Sequence, residues 1–168
     1  MAKNQSFDVE SKVEMQELDN ALNQARKELS TRYDFRGIDF EIEWNKKDMV
    51  IVIKAPDDHK LRAIWDVMQN KLVGRKLPLK NFEPQDADDA TLGTLRQRVT
   101  IQNGIPSEKA KKIAKFIKDK KLKKVQAQIQ GDTVRILSPS RDELQNVMQL
   151  LKEEDFGIDL QFGNFRSA

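Results

Sequence analysis

The sequence predicts an α+β protein made of two tandem modules, and three observations predict it. Apolar patterning runs strand, helix, strand, strand, helix, strand, and then repeats that order. The two passes end in similar text, LPLKNF (77–82) and DLQFGNF (159–165). Between them lies EPQDADDATLGT (83–94), which is acidic, turn-rich and aperiodic. A repeat on this scale marks duplicated modules, and the order is that of the split β-α-β, or ferredoxin-like, plait. Each module is expected to be a four-stranded antiparallel sheet with two helices on one face. The boundaries are residues 1–82, a linker over 83–94, and residues 95–168.

The elements follow in order. SFDVESKV (6–13) alternates, with Phe7, Val9 and Val13 on one face, and reads as a strand. From Glu14 to Ser30, the spacing of Met15, Leu18, Leu22, Ala25 and Leu29 predicts an amphipathic helix. In IDFEIEW, Ile38, Phe40, Ile42 and Trp44 alternate with acids. MVIVIKAP is a continuous apolar run, the pattern of a strand buried on both faces. Leu61, Ile64, Trp65, Met68 and Leu72 fall at helical spacing, with Gly74 as the stop. KLPLKNF suits a final edge strand, because Pro78 disfavours a central one.

In the second pass, RQRVTIQ (96–102) places Val99 and Ile101 on one face. SEKAKKIAKFIKDKKL is a helix with Ser107 as its N-cap and Ile113, Ala114 and Ile117 facing inward. VQAQIQ and TVRILS form a hairpin across Gly131 and Asp132. SRDELQNVMQLLKEEDFG is a helix seamed by Leu144, Val147, Met148 and Leu151, and Ile158, Leu160 and Phe162 alternate in a closing strand.

Composition removes several function classes. Of 168 residues, 38% are hydrophobic and 34% charged, enough for a core with a large solvated surface. The absence of cysteine excludes disulfides and thiolate metal sites. The N-terminal text MAKNQSFDVE has no apolar signal core, and no run reaches the ~20 apolar residues of a membrane span, so a cytoplasmic protein is expected. His59 is the only histidine, which leaves little from which to build a catalytic triad or zinc site. GxxxxGK[ST] and strand-following GxGxxG loops are absent, and no carboxylate pair is marked as acid and base. No enzyme, cofactor or metal is expected.

Net charge is only +3, so the distribution of charge matters more than its sum. Lysines crowd residues 108–124, offset only by Glu108 and Asp119. Among them Lys111, Lys112, Lys115 and Lys118 are candidates for phosphate steering, although a lysine run also serves as a plain solvated face. In STRYDFRG (30–37), Arg32 and Arg36 suit phosphates, and Tyr33 or Phe35 suits a base. The other reading has the rings plugging a helix-to-strand junction, Asp34 pairing with an arginine, and Gly37 supplying a positive φ.

A third candidate surface opposes Val125, Ala127 and Ile129. It carries Lys124, Gln126, Gln128 and Gln130, with Arg98, Thr100, Gln102, Arg135 and Gln161 from neighbouring strands. RNA-binding plaits use that open side but stack bases on strand aromatics, which TVRILS lacks. Packing against the other module is the second reading of this face.

The chain resembles the YajQ family of bacterial nucleotide-binding proteins nearly end to end. The resemblance is carried by SFDVES, LSTRYDFRG, KVQAQIQGDTVR, SRDELQ and QFGNFR. It implies tandem ferredoxin-like modules that exchange N-terminal strands, with 6–13 in the second sheet and 96–102 in the first. It also implies binding of nucleotides (ATP or GTP) or RNA, with cyclic di-GMP proposed for some members. The expected function is non-enzymatic binding of nucleotides or RNA, including tRNA, through arginine and lysine contacts to phosphate. The alternative is a cyclic di-GMP-responsive regulator that engages a transcription regulator or DNA. The residues themselves nominate Arg32, Tyr33, Phe35, Arg36, Arg98, Gln126, Gln128 and Arg135 for the nucleotide.

Overall fold

A computed structural model describes residues 4–167. Residues 1–3, part of the N-terminal text read above, and residue 168 lie outside the described residues, as do the outer ends of the two expected module ranges. The chain divides into two compact units. One comprises residues up to 12 together with those from 103 onward, and the other comprises residues 13–102.

In the unit of residues 13–102, helix α1 is Met15–Thr31 and helix α2 is Asp58–Gly74. Strands β2 (Glu41–Asn45), β3 (Val50–Ala55), β4 (Phe82–Pro84) and β6 (Leu95–Ile101) form an antiparallel sheet in the order β2-β3-β6-β4. Register aligns Trp44 with Ile51 and Ile51 with Val99. The expected faces of α1 and α2 pack here. Leu18, Leu22, Ala25 and Leu29 are buried with Ala21, and Leu61, Ile64, Met68 and Leu72 with Val67, against Ile42, Ile51, Ile53 and Val99. Trp44 donates its indole N–H to Asp19 at 2.7 Å, fastening β2 to α1.

Four local expectations change. β3 is buried on one face only: Ile51, Ile53 and Ala55 are covered, while Val50, Val52 and Lys54 are half-exposed. Its apolar run therefore reports β-propensity as well as burial. Gly74 is the last residue of α2 but does not supply its left-handed closure. The helix closes at Lys76, which takes φ +62° while Lys76 and Leu77 donate to the carbonyls of Val73 and Leu72, a Schellman turn formed without glycine. Val13 belongs to this core and not to a face shared with Phe7 and Val9. The strand ends before it, where the buried Ser11 hydroxyl donates to the carbonyl of Asp159. Finally, the acidic stretch carries β5 (Asp88–Asp89), which pairs with β6.

In the other unit, β1 (Gln5–Glu10), β7 (Gln126–Gln130), β8 (Thr133–Ser138) and β9 (Gln161–Arg166) form an antiparallel sheet in the order β7-β8-β1-β9. Helices α3 (Ser107–Asp119) and α4 (Arg141–Glu153) bury Ala110, Ile113, Ile117, Leu144, Val147 and Leu151 with Phe7, Val9, Val134 and Ile136. Gly131, at φ +61°, turns the β7–β8 hairpin as expected. Ser140 caps α4 by accepting from the Glu143 N–H at 3.2 Å. Ser107 does not cap α3; it is the first helical residue, and Pro106 holds the cap position. That helix also ends before 124. Lys121 and Lys124 take φ +51° and +57° as the chain reverses into β7, so the lysines after 119 lie on turns.

A candidate nucleotide groove and its neighbours

Helix α3 turns its apolar stripe inward and leaves Lys111, Lys112, Lys115 and Lys118 exposed. None of these four lysines has a carboxylate partner within ion-pair distance among the described residues. β7 is the edge strand beside this helix. Between them runs an open groove of about 720 Å³, lined by Lys115, Lys118 and Asp119 from α3, Gln126 and Gln128 from β7, and the apolar Ala114, Ile117, Val125 and Ala127. The volume lies in the usual range for a small-molecule site, about 300–1,000 Å³. Four of the nominated residues thus share one wall system. Cations and side-chain amides stand around an apolar floor that has no ring. Lys111 and Lys112 share the helix but do not line the groove.

Arg135 sits on β8, in register with Gln128 on one side and Asp8 on the other. Its Nε donates to Asp8 Oδ1 at 2.9 Å, and Asn164 Nδ2 donates to Asp8 Oδ2 at 2.7 Å. The Arg135 bond, then Asn164 and the nearby Arg166 charge, hold the Asp8 carboxyl below its ordinary value against a desolvation penalty. The guanidinium is therefore anchored within the sheet. Sequence reading missed Asp8 and Asn164; the signal was an acid alternating with Phe7 and Val9, a polar group on the far face of a buried strand.

Arg98 does not join this group. Its strand, β6, pairs with β3, β4 and β5 in the other unit, so Arg98 and Thr100 are not neighbours of the glutamine strand. Arg98 and Arg96 instead reach Asp88, at 3.2 and 3.3 Å. Hydrogen bonds from Arg96 first, then from Arg98, lower the Asp88 carboxyl. This bond pattern ties β5 to β6.

STRYDFRG forms a 3-10 turn at Tyr33–Phe35, directly after α1. Arg32 closes a two-pronged pair onto Asp34, Nε to Oδ1 at 2.9 Å and Nη2 to Oδ2 at 2.8 Å, which lowers the Asp34 carboxyl. Phe35 is buried, edge-on to Phe40 at 5.5 Å. Tyr33 is 82% exposed, so it does not plug the junction. The Arg36 guanidinium lies 5.2 Å from its ring centroid. Gly37 takes φ +69°, as the structural reading required. Lys60 was not foreseen. From the first turn of α2 it donates to the Asp34 carbonyl and sits 4.8 Å from the Phe35 centroid.

No cluster of three or more metal-ligating side chains occurs among the described residues. No helix among them is long and apolar enough to cross a membrane. The family model described as "Nucleotide-binding protein YajQ-like" matches residues 5–166. A nucleotide-binding protein of Koribacter versatilis is 49% identical over 167 residues, covering 99% of each chain. Similar proteins come from Chloroherpeton thalassium, 45% identical over 99% of this chain and 100% of the relative, and Trichlorobacter lovleyi, 50% identical over 96% and 98%. Both are named nucleotide-binding proteins.

Proposed function

The chain belongs to the YajQ-like family of nucleotide-binding proteins, and on that premise we propose that it binds a nucleotide or RNA, such as tRNA, without turning it over. The observation that carries this reading is the groove between α3 and β7. Lys115 and Lys118 supply phosphate contacts there, and Gln126 and Gln128 supply amides that donate to and accept from a base edge. Lys111 and Lys112 add charge that steers a polyanion toward the same helix. Arg135, held by Asp8, ties β8 to β1 beside the glutamine strand and is the less available of the nominated cations.

The same reading covers the architecture. The two sheets share one strand order, with β1 and β6 in the corresponding interior place; β1 comes from the far end of the chain, and β6 from just beyond the 83–94 stretch. Ferredoxin-like modules spanning 1–82 and 95–168, with first strands exchanged across the 83–94 linker, account for both orders.

The test is a titration of purified protein with tRNA, ATP, GTP and cyclic di-GMP at two salt concentrations, alongside the Lys115→Gln/Lys118→Gln variant. The expected result is salt-dependent tRNA binding that the variant weakens. Turnover of a nucleotide, or tRNA affinity unchanged in the variant, counts against the reading. Tight binding confined to cyclic di-GMP would instead favour a regulator that acts on a transcription factor or DNA.

A further inference from the structure

We propose that Tyr33 is a stacking platform for an unpaired base of single-stranded nucleic acid, with Arg36 contacting the adjoining phosphate. The proposal rests on the reading that this chain binds nucleic acid through phosphate contacts, and it adds a second place and a ligand class. The turn holds two rings in opposite settings. Phe35 is 4% exposed and Tyr33 is 82% exposed, two residues apart on one 3-10 turn. A turn that needed rings only for packing would not leave the larger polar-tipped one in water.

The turn is rigidly mounted. Phe35, Arg36 and Ile38 donate backbone N–H groups to the carbonyls of Arg32, Tyr33 and Phe35 at 3.1–3.2 Å. Asp34 is fastened by Arg32 through its carboxylate and by Lys60 through its carbonyl. Stacking therefore costs little ordering of the platform.

Charge at the turn is divided in the same way. Arg32 has spent its fork on Asp34. Arg36 has no carboxylate partner among the described residues, and its guanidinium rests against the Tyr33 ring. A guanidinium held by an aromatic face keeps in-plane N–H groups for phosphate oxygens. With Arg36 against the ring, much of its remaining surface stays open. A flat base fits there, and sequence-tolerant single-strand binders combine such rings with a cationic path for the backbone.

The openness of the ring decides between ligand classes. One stacked base contributes about 5- to 100-fold in affinity, far too little to hold a mononucleotide on a shelf without walls. A strand that already makes phosphate contacts gains that factor. In a duplex the base faces are covered by neighbouring pairs, so the base must be unpaired.

The experiment compares two probes on the intact chain by fluorescence anisotropy: an oligoadenylate of about ten nucleotides, within the span of known single-strand sites, and an abasic phosphodiester of equal length. Tyr33→Ala should weaken oligoadenylate about 5- to 100-fold and leave the abasic probe unchanged. Tyr33→Phe, which keeps the ring face, should restore what Tyr33→Ala removes. Lys115→Gln/Lys118→Gln should weaken both probes. Equal losses on both probes, or no loss on either, in Tyr33→Ala would overturn the stacking role while leaving the lysine reading standing. Wild-type protein that binds neither probe would overturn both.

Discussion

Each unit has a groove between a helix and the edge strand that follows it in the chain, and the two grooves are finished differently. Between α1 and β2, the groove is about 420 Å³ and is lined by Asp39, Glu41 and Glu43. Arg26 reaches across it, and its Nε donates to the Ile42 carbonyl of the edge strand at 2.9 Å. Between α3 and β7, the groove is about 720 Å³ and is lined by Lys115 and Lys118. No side-chain hydrogen bond spans it among the described residues. One supersecondary plan thus gives an acidic groove with its edge strand occupied and a basic groove left open. An unpaired strand edge is a liability that proteins usually cover. One edge carries an arginine bridge, and the other stands open beside a lysine helix.

The largest expected effect tests whether the two grooves belong to independent modules. If β1 and β6 are exchanged first strands, opening the chain within 83–94 and separating the halves should leave two poorly folded fragments. Each half would lack an interior strand of its sheet and expose the edges that strand had paired. Circular dichroism and sedimentation of the isolated halves check this. Two well-folded monomeric halves would sink the exchange and reduce the comparison to one between unrelated domains.

Charge gives the next effect. Replacing Lys111, Lys112, Lys115 and Lys118 with glutamine should weaken tRNA binding by tenfold or more. The log–log salt dependence should flatten by roughly 0.7–0.9 for each phosphate that the variant no longer neutralises. Glu41→Gln/Glu43→Gln in the acidic groove should leave that slope where it was. If the two sets of variants behave alike, the difference between the grooves is not functional.

How much of this was legible in the sequence depends on the range of the interaction involved. Helix faces and the hairpin at Gly131 rest on interactions within a few residues, and the text carries them, although the cap read at Ser107 falls one residue inside its helix. The residues of the α3–β7 groove were nominated one by one, but their meeting was not, because Lys115 and Gln126 come together only when the chain reverses at Lys121 and Lys124, where two lysines adopt a backbone usually left to glycine. Arg98 was placed beside the wrong strand, since strand pairing is set by partners dozens of residues away. Arg26 and Asp8 went unread for a related reason. One charged side chain on a helix, or one acid in a strand, looks like solvated surface until its distant partner, Ile42 or Arg135, is known.

A smaller effect is expected from the bridge that fills the acidic groove. Arg26→Gln would leave the Ile42 carbonyl without its charged donor, costing about 1–2 kcal/mol of stability by urea unfolding. It would also uncover the β2 edge, so self-association should rise with concentration in sedimentation experiments. A stable, strictly monomeric variant would mean that Arg26 does not guard that edge, and the contrast between covered and open edges would lose its basis.

The smallest effect separates the two sheets by their response to acid. Asp8, half-buried on β1, is bonded by Arg135 and Asn164, whereas Asp88, half-exposed on β5, is bonded by Arg96 and Arg98. Both carboxyls lie below their ordinary value of 3.8. A carboxyl whose folded value is depressed stabilises the fold fully above its unfolded value, and that contribution disappears as pH falls through the folded one. Both groups therefore make the protein less stable on going below about pH 4, and near neutrality both contribute in full without making stability depend on pH. They should differ in size, because solvent screens the exposed pair more. Asp8→Asn should remove up to about 1 kcal/mol at neutral pH and flatten the acid limb of stability against pH, while Asp88→Asn should change that limb less. Thermal unfolding of both variants between pH 2 and 7, a span chosen to bracket the carboxylate range, measures the difference. An acid limb flattened more by Asp88→Asn would show that the open strand edge of β5, and not the interior strand β1, carries the acid-sensitive interaction.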